Sequence, residues 1–215
     1  MLLRPMLGLG AFLGVVVAIS SYRFLFVGLE TAFPSMGLPL ERARLPFLVH
    51  VVSSPVSLAV GVLLLWTGFR GLSPRLHRWS GRVYALSILV GGLSAVAMAP
   101  GANGGWFASL GFTLVGLVWI GVTGYAVHLA RTRQFAAHRR WMIRSYALTF
   151  AAVTLRLELL PFQLAGIAYV DTIPYLVWTS WPLNALIAEW WLRRPVRKPA
   201  TLSTQTKSRM VRHSV

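Results

Sequence analysis

PFLVHVVSSPVSLAVGVLLLWTGF, at residues 46–69, is a long apolar stretch that contains one ionisable side chain, His50. A helix that crosses a membrane needs about 20 predominantly apolar residues, and this stretch is long enough. Backbone amides in hydrocarbon have no water to bond, so a single spanning segment satisfies them internally only as a helix. The stretch therefore predicts a transmembrane helix.

The rest of the chain repeats this pattern. Five further apolar stretches occupy residues 6–28, 82–100, 106–130, 141–161 and 172–192. The 215 residues are 56% hydrophobic and 12% charged, about half the charged share of an average soluble domain. A soluble fold of this size could not cover so much apolar surface. We predict an all-α integral membrane protein, a six-transmembrane-helix bundle that occupies residues 1–194.

The net charge of +16 is explained by membrane topology. Most of the 21 Lys and Arg residues lie before stretch one, between stretches two and three, between four and five, or after six. Six spans place all four groups on one side, and the positive-inside rule makes that side the cytoplasm, with both termini there. We expect the basic loops and a disordered tail at residues 195–215 to contact anionic phospholipid, and we expect no nucleic-acid partner.

The first stretch has an alternative interpretation. Arg4, the apolar run and the small residues before position 22 also fit a cleaved signal peptide. The apolar run resumes at residues 24–28, which favours a span.

Two of the basic connections resemble each other. Each has Thr-Gly-aromatic before it and a motif of His, Arg, Trp, Arg and Tyr after it. The motif residues are His77, Arg78, Trp79, Arg82 and Tyr84 in the first copy, and His138, Arg140, Trp141, Arg144 and Tyr146 in the second. We predict that these residues lie at the cytoplasmic interface. A duplication would make spans 2–3 and 4–5 two helix hairpins of the same topology. Alternatively, these residue types simply populate every membrane interface.

A family resemblance rests on the second copy. HRRWMIRSYALTFAAVTLR at residues 138–156 resembles the signature of a family of bacterial predicted membrane proteins, domain of unknown function 2306. LHRWSGRVY at residues 76–84 and His50 also fit it. The resemblance covers residues 45–160. It implies a multi-pass protein of the bacterial inner membrane and brings no established activity.

Ionisable groups inside a bilayer are costly, so each is a functional candidate. Arg23, His50, Arg156 and Glu158 lie near the outer ends of spans 1, 2 and 5, where we expect them to bind a small ligand. Two stripes at helical spacing lead to this cluster: His50, Ser54, Ser57, Gly61 and Gly68 in span 2, and His138, Ser145, Thr149, Ala152 and Arg156 in span 5. Alternatively, Glu158 pairs with Arg23 or Arg156 only to hold the bundle together.

Two other functions remain open. A membrane redox component would bind one b-type haem or a quinone, with His50, His77 or His138 as candidate haem ligands and Met98 as a weaker one. A small transporter would use the striped faces of spans 2 and 5 as its path. We find no HExxH, phosphate-binding loop or GxSxG motif, so no enzyme class is assigned. The chain has no cysteine, which excludes disulfides and thiolate metal sites.

Overall fold

The computed structural model describes residues 3–71 and 73–194, so the predicted tail at 195–215 lies outside it. These described residues form eight α-helices, 3-10 turns at Pro34–Met36 and Ala99–Gly101, and no strand. The α-helices are α1 (Leu3–Ser21), α2 (Phe24–Val27), α3 (Leu29–Ala32), α4 (Gly37–Arg70), α5 (Pro74–Met98), α6 (Gly105–Arg131), α7 (Phe135–Leu164) and α8 (Tyr169–Arg193). The predicted all-α class is confirmed.

Five segments are long and apolar enough to cross a membrane. They are Gly8–Val27, Leu40–Gly68, Pro74–Gly101, Gly105–Arg131 and Phe135–Leu164, and they coincide with the first five predicted spans. Helix α8 has 25 residues, which gives a length of about 37 Å. Its Trp, Pro, Asn and Glu residues lower its hydropathy, and it is not among the five. The count of six spans therefore stays a prediction.

Helices α5 and α7 begin earlier than the apolar pattern predicts. Ser73 caps α5, its hydroxyl accepting a hydrogen bond from the backbone N–H of Leu76 at 3.4 Å, and Pro74 occupies the first turn. Helix α7 likewise begins at Phe135, ahead of the apolar run at 141. His77 and His138 therefore lie inside helices, each three residues after the first residue of its helix.

Helix α4 contains a kink. Ala43 has non-helical backbone angles (φ −145°, ψ 46°). Pro46 follows it; its ring clashes with the carbonyl four residues earlier and its nitrogen donates no hydrogen bond, so the helix is interrupted at this turn. Pro55 lies in the same helix, where Ala43 alone departs from helical angles.

The helices pack with polar groups inside and apolar groups outside. Helices α4 to α7 form the centre, α1 packs on α4 and α7, and α8 packs on α6 and α7. Small polar side chains such as Ser57, Ser145 and Thr149 are buried, whereas Leu86 and Trp106 are 62% and 78% exposed. Lipid solvates such apolar surfaces, and helix contacts in lipid depend on small and polar residues. This arrangement is that of a membrane protein.

One glycine sets the closest approach inside the bundle. A Cβ at Gly61 in α4 would overlap the ring of Tyr146 and would lie 3.1 Å from Cε2 of Tyr84. The absent side chain therefore lets two tyrosine rings from α5 and α7 reach α4.

We predict that Gly61→Ala lowers the thermal unfolding midpoint of the purified protein, because the added methyl forces the Tyr146 ring away at a cost of about 1–3 kcal/mol. Gly121→Ala in α6 is the matched control, since a Cβ there meets nothing within 4 Å. The control should unfold at or above the wild-type temperature. Equal behaviour of the two variants would contradict this account of the packing.

Candidate functional site

A hydrogen-bonded group of side chains, which we call the central network, joins α5, α6 and α7 in the middle of the bundle. The Tyr84 hydroxyl lies 3.0 Å from Oγ of Ser145 and 2.9 Å from Oγ1 of Thr149. Trp119 Nε1 donates to Thr149 Oγ1 at 2.9 Å, and Thr123 Oγ1 lies 2.7 Å from Ser145 Oγ. All five residues are buried. Because each hydroxyl finds a partner, the network can form without leaving these polar groups unsatisfied.

The central network separates two cavities. The inner cavity lies on the side of the His-Arg-Trp motifs, and Tyr84 lines it. The outer cavity lies on the opposite side, lined in part by Trp119 and Thr149. The hydrogen bond between Tyr84 and Thr149 is thus part of the wall between them.

The inner cavity has a volume of about 830 Å³. Residues of α4 to α7 line it, and none of them is Asp or Glu. Its ionisable lining residues other than tyrosine are His77, Arg78, Arg82, Arg131, His138 and Arg139. Two imidazoles from different helices therefore share a cavity rich in guanidinium groups.

Each of the two imidazoles is tied back to the preceding helix. His77 Nδ1 lies 3.1 Å from Oγ1 of Thr67 in α4. With its own hydrogen on the carbonyl of Leu63 at 2.9 Å, that hydroxyl can accept from Nδ1 of His77. His138 Nδ1 lies 2.8 Å from the carbonyl oxygen of Ala126 in α6, which can only accept.

These partners assign the ring tautomers. An acceptor opposite Nδ1 places the proton of a neutral imidazole on Nδ1 and leaves the lone pair on Nε2. In the part of the chain that the structure describes, the hydrogen bonds of both rings involve Nδ1. His77 and His138 are therefore oriented so that Nε2 is the nitrogen available to a ligand.

The two hairpins repeat further contacts. The Arg82 guanidinium lies 5.1 Å from the Trp79 ring centroid, and the Arg144 guanidinium lies 4.8 Å from that of Trp141. Both arginines follow their tryptophan by three residues, the spacing that brings side chains together on a helix. The shared motif thus has the same local geometry in α5 and α7.

The hairpins differ in the partner of the second arginine. Arg82 lines the inner cavity. Arg144 instead forms a two-bond ion pair with Glu189 of α8, and Arg193 lies 3.8 Å from the same carboxylate. In the second copy the arginine therefore attaches α8 to the bundle.

The outer cavity is smaller, about 290 Å³, and its lining includes His50, Arg156 and Tyr169. His50 Nδ1 lies 2.9 Å from the Gly91 carbonyl and 3.2 Å from Ser54 Oγ. Arg156 donates from Nη1 to the carbonyl of Ala152 at 2.7 Å. Met98, the weaker haem-ligand candidate, also lines this cavity.

The other two predicted ligand residues do not line the outer cavity. Arg23 donates to the carbonyls of Ser20 and Ala32 and lies 4.7 Å from the Phe33 ring centroid. Glu158 accepts a hydrogen bond from Thr179 at 2.8 Å. Among the described residues the ion pairs are Arg44–Glu30, Arg144–Glu189 and Arg193–Glu189, so the hypothesis that Glu158 pairs with Arg23 or Arg156 is wrong.

Both polar stripes face the interior. His50, Ser54 and Ser57 line the outer cavity, and Gly61 and Gly68 line the inner one. On α7, Ala152 and Arg156 reach the outer cavity, Ser145 and Thr149 belong to the central network, and His138 reaches the inner cavity. The stripes of α4 and α7 therefore line the same two cavities.

Three ionisable residues that line the cavities were not among the predicted ones. Arg131 and Arg139 line the inner cavity, whereas Arg140 and Arg144 do not. Arg139 shares a helix face with Met142, Ile143 and Tyr146. This spacing indicates that Arg139 faces the cavity only if α7 is known to begin at Phe135. Tyr169 lies before the sixth apolar stretch, and nothing in the sequence indicates that the start of α8 reaches Arg156.

We predict that Tyr84→Phe lowers the thermal unfolding midpoint, because the hydroxyl bonds to Ser145 and Thr149 are lost at a cost of about 1–3 kcal/mol. Tyr125→Phe is the control, since Tyr125 is 47% exposed and contacts its neighbours through its ring. Its unfolding midpoint should stay at the wild-type value. If both variants unfold like the wild type, the central network does not stabilise the bundle.

Comparison with known proteins places the chain in a family without assigning an activity. No curated protein and no solved structure matches the chain. A family model described as "Predicted membrane protein (DUF2306)" matches residues 47–192, which include the four central helices from Phe47 onward and nearly all of α8. The chain therefore belongs to the DUF2306 family of membrane proteins.

Proposed function

We propose that this protein is a membrane redox component that binds one b-type haem in the inner cavity, where His77 and His138 would hold it. The observation that carries the proposal is the orientation of two imidazoles from different helices toward one cavity, each with Nδ1 bonded to the preceding helix. Haem held by two histidines supplies one-electron transfer.

The hydrogen bonds to Nδ1 are those that a metal-ligating histidine requires. Such a ring usually donates its other N–H to a carbonyl or hydroxyl, which fixes its orientation and raises its basicity. The Ala126 carbonyl and the Thr67 hydroxyl serve His138 and His77 in this way. Both helices therefore present a preoriented Nε2 before any cofactor arrives.

The charge of the inner cavity fits the same cofactor. Four arginines line it without a carboxylate: Arg78, Arg82, Arg131 and Arg139. Guanidinium groups bind carboxylates in a bidentate manner, and the propionates of haem are carboxylates. Near the motif side of the bundle these arginines would hold the propionates toward water.

The larger volume of the inner cavity supports that cavity as the cofactor site. The inner volume of about 830 Å³ lies in the upper part of the range of about 300–1,000 Å³ for ligand sites, and the outer volume of 290 Å³ lies at its lower limit. The outer cavity also has a single histidine, His50. One haem on the inner side is therefore favoured over two.

A transporter is supported less well. The polar stripes of α4 and α7 do face one interior, as a path would require. However, the Tyr84, Thr149 and Trp119 side chains are hydrogen-bonded across the space between the cavities. A path would have to break these buried bonds.

For localisation we propose the inner membrane of a bacterium, with six spans and both termini in the cytoplasm. The support is the clustering of Arg and Lys at one end of the helices. The arginines of the inner cavity belong to that end, so its opening would face the cytoplasm and, nearby, anionic headgroups.

We expect the purified wild-type protein, expressed with haem supply, to show a Soret band that shifts on reduction. His77→Ala and His138→Ala should each abolish at least nine-tenths of it, because a single imidazole holds b-type haem weakly. His128→Ala is the control, since His128 is exposed and does not line the cavity. A colourless wild type, or haem retained in both cavity variants, would overturn the proposal.

We also expect a reporter fused after Val215 to be active in the cytoplasm, on the same side as one fused before Met1, because six spans return the chain to its starting side. A reporter inserted at Asn103, in the turn between α5 and α6, should be exported. Opposite locations for the two terminal reporters would rule out an even number of spans.

A further inference from the structure

We infer that the outer cavity is an oxyanion site, in which Arg156 binds a carboxylate or phosphate oxygen and His50 accepts a hydrogen bond where the ligand also carries a hydroxyl. This inference does not depend on haem in the inner cavity, because the two sites share no lining residue.

The first support is that no acidic residue in the lining of the outer cavity offsets the positive charge of Arg156. None of the residues that line the outer cavity is Asp or Glu. Arg156 and Tyr169 both line this cavity. Arg156 is exposed, so an anion that enters the cavity can reach its guanidinium, and no acidic lining residue competes for it.

Among the described residues, no carboxylate forms an ion pair with Arg156. Glu158 is bonded to Thr179 on the α8 side of α7. Glu30 faces Arg44 at 3.9 Å. Neither Glu41 nor Asp171 lines the cavity, and both are exposed. The five carboxylates of the chain include only Glu189 besides these, and it pairs with Arg144.

The second support is the set of hydrogen-bonding atoms that remain. Arg156 uses Nη1 for the Ala152 carbonyl, which leaves further guanidinium donors for an acceptor. The Gly91 carbonyl accepts from Nδ1 of His50, so the Nε2 lone pair of the neutral ring is an acceptor. A protonated oxyanion such as hydrogen phosphate offers an anionic oxygen to Arg156 and an O–H group to His50.

The cavity limits the ligand to a small group. Its volume of 290 Å³ holds a phosphate or a short carboxylate and excludes a large cofactor. The segment that contains α2 and α3 lies beside it: Phe33 lines the cavity and is held under the guanidinium of Arg23, which also bonds the Ala32 carbonyl. Arg23 is therefore a positioning residue that holds this segment in place.

The anionic group could belong to a free anion or to a lipid headgroup, and the experiment distinguishes these two sources. Thermal unfolding of the protein is followed in detergent with inorganic phosphate, with acetate, and with chloride at the same ionic strength. It is repeated in nanodiscs of phosphatidylcholine with and without phosphatidylglycerol. A shift with phosphate or acetate identifies a free anion, and a shift confined to phosphatidylglycerol nanodiscs identifies a lipid headgroup.

At a hundredfold excess over Kd we expect the midpoint to rise by roughly 5–10 °C for a chain of this size. Arg156→Gln should abolish the shift and Arg156→Lys should weaken binding at least tenfold, because an ammonium cannot form the two-pronged contact. Arg44→Gln is the matched control, an arginine 69% exposed at the same end of the bundle, and should keep the wild-type shift.

Three results would overturn the inference. They are no shift in the wild type under any of these conditions, an equal shift with chloride, and an Arg44→Gln effect as large as that of Arg156→Gln. If Arg156→Gln does not fold, Arg156→Lys and the wild-type comparison of phosphate with chloride decide the question. A wild type that binds phosphate but lacks haem would refute the proposed redox function and leave the oxyanion site intact.

Discussion

The hydroxyl of Tyr84 joins α5 to α7, and the arrangement of the bundle depends on this contact. In lipid, apolar surfaces give helices little reason to choose one partner or one register over another. A buried polar group does, because it must find its partners or remain unsatisfied. The bonds from Tyr84 to Ser145 and Thr149 therefore align two helices that are not consecutive in sequence, and Trp119 brings α6 into the same alignment.

This alignment has consequences at both ends of the network. His77 and His138 each lie seven residues before Tyr84 and Ser145, about two helical turns away on the same face. Fixing the second pair therefore also constrains the two histidines, which line the inner cavity. On the opposite side of the network, Thr149 and Trp119 line the outer cavity. The same hydrogen bonds therefore form a boundary of both cavities.

The two hairpins resemble each other around the inner cavity but not around the outer one, and the two cavities differ accordingly. Both hairpins carry a tied-back histidine, a tryptophan under an arginine, and a tyrosine at the inner cavity. His50, the histidine of the outer cavity, has no equivalent in the second hairpin. When the two hairpins are aligned at Thr67 and Thr123, Trp106 takes the position of His50. Trp106 is 78% exposed and turned away from the interior. The inner site is thus built from two equivalent halves and the outer site from one.

The sequence by itself determined the helical class, five of the apolar spans, the resemblance between the hairpins and the grouping of polar residues into two stripes. These follow from hydropathy and from the spacing of residues along a single helix, which act locally. It did not determine where α5 and α7 begin, because His and Arg residues separate the first residue of each helix from its apolar run.

Only the tertiary structure decided which charges meet. Glu158 bonds to Thr179 in place of an arginine, Tyr169 and Arg156 line one cavity, and Arg144 pairs with Glu189. Each of these pairs joins α7 to α8 and depends on how the two helices are rotated against each other. The central network and the close approach of Tyr146 to Gly61 fix α7 against α4, α5 and α6. Contacts from Arg144 and Glu158 then attach α8, an arrangement that no pattern along a single helix encodes.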